Sequence, residues 1–120
     1  MASTTIKMKR NDTQPFLDIK LKDNSTDYAD LTVSGLAVTF TMKDSESNIV
    51  KIDSQPCQII SGIIGSVRYP WAIGDTDTAG AYLAEFEVTS PAITPYPEYK
   101  LTYPVEGTLV VVILEDYDAD

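Results

Sequence analysis

The sequence predicts an all-β fold, a sandwich of about seven to eight antiparallel strands, and three observations carry that prediction. Short alternations of apolar and polar residues recur along the chain. Clusters of Asn, Asp, Ser, Gly and Pro separate them about every ten residues, as in two-sheet β domains. No window of helical length keeps a 3.6-residue apolar period free of Pro or Gly. With 120 residues, 43% of them hydrophobic, the chain can build one core without disulfide staples. The expected organisation is a single domain over residues 1–114 and an acidic C-terminal tail over 115–120.

Residues 4–9 read as a first strand with Ile6 and Met8 on one face, stopped by the turn Arg10-Asn11-Asp12-Thr13-Gln14-Pro15. Residues 16–22 set Leu17, Ile19 and Leu21 against Asp18, Lys20 and Lys22, and the polar run 23–27 forces a loop. Residues 36–43 repeat the pattern with Val38, Phe40 and Met42 inward, before the turn Asp44-Ser45-Glu46-Ser47-Asn48. Residues 49–53 form a short fourth strand. Between 55 and 64, paired isoleucines around Gly62 and Gly65 suit a strand that leads into a tight turn.

The stretch 67–88 is the most informative. Val67, Tyr69 and Trp71, then Tyr82, Ala84, Phe86 and Val88, each turn one apolar face inward across a glycine-punctuated connection. Trp71 is expected to be the main core aromatic. The connection ends in Asp77, Ala79, Gly80 and Tyr82, where a tyrosine hydroxyl can bond back to upstream backbone, as in immunoglobulin-like domains. Residues 90–97 hold three of the seven prolines and read as a long connection. Residues 99–103 read as an edge strand. Residues 109–114 are unbroken Val, Ile and Leu, the pattern of a strand covered on both faces or set against a partner.

Composition argues against catalysis. The chain has no histidine, and its one cysteine, Cys57, has no basic neighbour in sequence, so it reads as a small buried hydrophobe. Glu85 and Glu87 fall on the solvent side of their strand, whereas catalytic carboxylates need a desolvated pocket. Asp75, Thr76, Asp77 and Thr78, with Asp23, Asn24 or Asp27, offer oxygen ligands but not the spacing of a calcium loop. The scattered glycines form no phosphate cradle or dinucleotide fingerprint. We therefore expect no enzymatic activity, no cofactor and no metal. The 18 acidic residues against 9 basic ones give a net charge of -9, which repels phosphate backbones, so nucleic acid is not an expected partner. No segment has the length and apolarity of a membrane span, and the start MASTTIKMKR has no signal-like apolar run.

Protein contacts are the remaining role. Tyr96, Tyr99 and Tyr103 interleave with Pro95, Pro97 and Pro104 and supply contact area of the kind enriched at interfaces, with packing of this stretch against its own sheet as the equal alternative. The segment carrying Ile6, Met8 and Arg10 is a second candidate, because a terminal strand can add to a neighbour's sheet. Tyr117 sits in the acidic tail, which reads as a solvated segment or one that awaits a basic partner.

Four pieces occur in one order: IKMKRNDTQPFLDIKLKD, LAVTFTMKD, GSVRYPWAIGDTDTAGAYLAEFEV, and a proline-rich turn with a closing strand. Together they resemble the amino-terminal domain of bacteriophage baseplate upper proteins, an immunoglobulin-like β-sandwich module. The resemblance spans about residues 5–114. Its most specific parts are Arg10-Asn11-Asp12 and the block from Val67-Arg68-Tyr69 to Gly80-Ala81-Tyr82 with Glu85-Phe86-Glu87-Val88. It implies a virion structural protein, made in the host cytoplasm and bound to other virion proteins or to itself. Longer members of that family continue into a helical linker and further domains, whereas this sequence stops at Asp120. The expected role is thus a tail or baseplate adaptor or accessory protein, with capsid decoration as the first alternative. A carbohydrate-binding module using Trp71 and exposed tyrosines is the second.

Overall fold

The computed structural model describes residues 3–24, 26–92, 94, 95, 97–105 and 107–115. Alternating burial has produced two sheets that share one core. The strands are β1 (Ser3–Lys9), β2 (Leu17–Lys20), β3 (Ala37–Asp44), β4 (Val50–Pro56), β5 (Gln58–Ser61), β6 (Ser66–Tyr69), β7 (Gly80–Ser90), β8 (Tyr99–Tyr103) and β9 (Thr108–Leu114). A six-stranded sheet has the order β1-β9-β7-β3-β4, with β8 also on β7, and a three-stranded sheet has the order β2-β6-β5. The fold is an all-β sandwich.

The long strand β7 organises the larger sheet. Its residues Tyr82, Ala84, Phe86, Val88 and Ser90 are all buried, as a strand with one face on a core requires. β3 pairs with it from Tyr82 to Thr89. Its other edge is shared, with β9 along Gly80–Ala84 and β8 along Phe86–Ser90. β8 and β9 are therefore two halves of one edge, broken at Pro104, which has no N–H for the ladder.

Three expectations need correction. The sheets are not wholly antiparallel, because β1 runs parallel to β9 from Ser3 beside Thr108 to Lys9 beside Leu114. No hairpin joins these strands, so local turn geometry does not set their relative direction. Among the described residues the strands number nine against the expected seven to eight, and the chain bends at Pro56 and Cys57 to carry β4 and β5 into different sheets. Finally, β9 has one covered face: Leu109, Val111 and Ile113 are buried, while Val110 and Val112 are half-buried beside Leu83 and Lys7.

Four aromatic rings fill the centre. Phe40 stacks on Tyr69 at 4.6 Å between centroids, meets Trp71 edge-on at 5.8 Å and lies 5.1 Å from Phe86. Tyr69 and Trp71 are edge-to-face at 5.3 Å, geometries favoured by the ring quadrupole. At the tip of the β5–β6 hairpin, Gly65 adopts φ +61°, and a Cβ there would lie 2.5 Å from the Leu21 carbonyl oxygen. Only glycine lets the loop at Leu21 and Ala29 pack against this turn.

The connection into β7 is held by three polar contacts. The Tyr82 hydroxyl donates to the Thr78 carbonyl at 2.7 Å, the upstream bond expected from the sequence. Buried Thr76 donates through Oγ1 to the Asp12 carbonyl at 2.8 Å, and the Asn11 amide donates to the Thr76 carbonyl at 2.9 Å. Asn11 itself takes φ 70°, a conformation that Asn tolerates better than most residues. Replacing Tyr82 by Phe should cost about 1 kcal/mol and lower Tm by roughly 3–6 °C, since one hydrogen bond is lost and the ring remains. Thermal melts followed by circular dichroism would measure this, and an unchanged Tm would remove the hydroxyl from the account.

Candidate functional site

The groups that could carry chemistry are committed to structure. Asp75 accepts from the Tyr69 hydroxyl at 2.5 Å and from the Ala72 amide at 2.8 Å. Asp77 pairs with Lys51 and accepts from Thr78, contacts that hold its carboxyl below the usual range. Glu85 is exposed, and Glu87 lies 3.8 Å from the Lys100 ammonium. Cys57 is half-buried, and burial pushes its thiol up to about 12, the reverse of an activated nucleophile. Among the described residues no three His, Cys, Asp or Glu side chains gather as a metal set. Trp71 is 5% exposed and packed into the aromatic cluster, so it offers no platform for a sugar ring.

The interface candidates separate in space. Ile6 and Met8 are partly buried against the core, on a strand that forms the edge of the larger sheet. The Arg10 amide donates to the Leu114 carbonyl at 2.7 Å, and its Nε lies 3.8 Å from the Glu115 carboxylate. Tyr99 is 41% exposed on β8, beside Leu101 at 46%. Tyr103, grouped with Tyr99 in the sequence reading, is instead a core residue at 2% exposure, with its hydroxyl donating to Asp23 at 2.6 Å. Tyr99, Leu101 and Tyr103 share the inward face, opposite Ser90, Val88 and Phe86, but the smaller sheet is too narrow to cover all three. Tyr96 and Tyr117 lie outside the described residues.

One feature is absent from the sequence reading. Edge strands β1 and β2 flank an open seam between the sheets, which deepens into a groove of about 550 Å³. Ile19, Leu21, Phe86, Tyr103, Val105 and Leu109 give it an apolar lining, and Lys20 and Lys22 stand at its β2 rim. The chain from Leu17 to Asp23 is hydrogen-bonded along one edge, to β6, to Gly65 and to Asp27. Its other edge carries no strand among the described residues. The available signal was charge: five of the nine basic residues fall within the first 22 positions, against two of the eighteen acids.

No family model, curated protein or solved structure matches this chain. Among the described residues no helix is long and apolar enough to cross a membrane. The surface that remains is suited to contact: free strand edges, a half-open apolar seam and segregated charge.

Proposed function

We propose that this chain is a non-enzymatic structural protein of a bacteriophage virion, an immunoglobulin-like module that docks on the tail or baseplate as an adaptor or accessory protein. The observation that carries the reading is how the two most specific blocks of the resemblance meet. Asn11 and Asp12 of the first block bond Thr76 within the second, and Tyr82 closes the same joint by bonding Thr78. Residues more than sixty positions apart are thus held as one unit at one end of the sandwich. A shared framework of this kind supports the likeness in architecture better than separate surface matches would.

The rest of the molecule is consistent with docking. Strand edges bind by adding to a neighbour's sheet, and the net charge of -9 favours partners with basic surfaces. Such a protein is made in the host cytoplasm and resides in the particle. Its partners are other virion proteins, and a place on the capsid shell is the competing location. Mass spectrometry of gradient-purified particles tests the reading: the chain should be present at constant ratio to the major structural proteins across fractions. Its loss on a salt wash together with host contaminants would count against it.

A further inference from the structure

We propose that the seam between β1 and β2 is a strand-addition site for another protein, and that the segment it takes alternates acidic with apolar side chains. The main chain of β2 sets the first requirement. β2 meets β6 in antiparallel register from Leu17 beside Tyr69 to Lys20 beside Ser66, and the Leu21 amide continues the ladder by donating to the Gly65 carbonyl at 2.8 Å. Main-chain groups alternate in direction along a strand, so Leu17, Ile19 and Leu21 turn theirs toward β6, and the amides and carbonyls of Asp18, Lys20 and Lys22 point the other way. The loop that pairs beyond β6 keeps this phase, with the Ala29 amide on the Leu21 carbonyl and the Asp23 amide on the Asp27 carbonyl. No strand takes the opposite edge among the described residues. An unpaired edge of this kind is a template for an extended chain.

The side chains set the second requirement. A strand laid on that edge turns every second residue inward with Ile19 and Leu21, toward the groove lined by Tyr103, Val105 and Leu109. Those positions favour apolar residues. The intervening positions face outward in line with Lys20 and Lys22, both exposed, whose ammonium groups lie 5.9 and 5.1 Å from the Tyr28 ring centroid. Neither lysine has a carboxylate partner among the described residues. The acids of the same segment are already engaged, Asp18 by Arg68 at 2.7 Å and Asp23 by the Tyr103 hydroxyl at 2.6 Å. In a chain whose net charge is -9, this edge is a local reversal of sign, and carboxylates on the added strand complement it. The rest of the surface favours basic partners, whereas this edge selects an acidic one.

The inference stands apart from the virion reading, because it concerns the purified chain and a synthetic segment. Fluorescence anisotropy with labelled, capped peptides of sequence DVDFDVD, DLDYDLD and DFDVDFD should show saturable one-to-one binding to the full chain that weakens with added salt. Versions with lysine in place of every aspartate should not bind. Lys20→Glu with Lys22→Glu should weaken the tightest peptide at least tenfold, as should Val105→Glu at the groove mouth, while circular dichroism melts stay unchanged because all three positions are exposed. N-methylation separates strand addition from loose apolar contact. Only one parity of peptide amides faces β2, so methylating the aspartate amides and methylating the apolar ones should differ in effect at least tenfold. Failure of all three peptides to bind, equal binding by the lysine versions, indifference to the lysine substitutions, or equal effects of the two methylation patterns would each overturn the proposal.

Discussion

Phe40→Ala is expected to lose about 3–5 kcal/mol of folding stability, the range for removing a large aromatic side chain from a close-packed core. Phe40 is fully buried and touches Tyr69, Trp71 and Phe86, so its removal opens a cavity where three rings meet. Both sheets are represented, with Phe40 and Phe86 from one and Tyr69 from the other. The void thus falls between the layers, where neither sheet can collapse without breaking its own ladder. A domain of this size has about 5–15 kcal/mol in total, so roughly a fifth to the whole of its stability is at stake. In urea the midpoint should fall by roughly 1.5–3 M. Ile73→Ala, at a position 98% exposed, should change stability by less than about 0.5 kcal/mol. Equal effects from the two substitutions would contradict the packing described.

The second large effect is alkaline. Tyr69 and Tyr103 are held neutral, first by burial and then by donating their hydroxyls to Asp75 and Asp23, whose negative charges further disfavour a phenolate. Both phenols are raised well above the ordinary 10.0 in the folded state. The unfolded chain therefore releases these protons first as pH rises. The contribution of these two phenols is fully present below about pH 10 and is lost above it, by about 1.4 kcal/mol per pH unit for each tyrosine. With two such residues, one unit above pH 10 should remove about 2–3 kcal/mol. Urea titrations at pH 8, 10 and 11 would measure the slope, and Tyr69→Phe should lessen it above pH 10 by about 1.4 kcal/mol per pH unit. A flat profile would mean that the two hydroxyls reach solvent.

Much of the architecture was legible because strands with one buried face alternate. Val38, Phe40 and Met42, and Tyr82 through Val88, announce their inward side directly. The Tyr82 hydrogen bond was legible because it is local, four residues long. What sequence could not reveal depends on contacts between distant segments. The parallel pairing of β1 with β9 joins the two ends of the domain and leaves no local signature. Tyr99 and Tyr103 have the same parity on β8, yet one is exposed and the other buried. Their difference is set by where the three-stranded sheet stops. The seam groove was hidden for the same reason, since its walls come from β1, β2 and the turn before β9.

Residues at the groove also explain why Asp23 and Tyr103 matter together. Tyr103 closes the floor and its hydroxyl ties the loop after β2 to β8, eighty positions away.

The central claim is that this sandwich is a structural part of a phage particle, and its most direct test is copy number with position. Quantitative mass spectrometry of purified particles, combined with electron cryomicroscopy, should find six copies or a small multiple at the tail or baseplate, about the symmetry expected of a docked adaptor. Scores to hundreds of copies on the shell would move the protein to capsid decoration, and its absence from the particle would contradict the account.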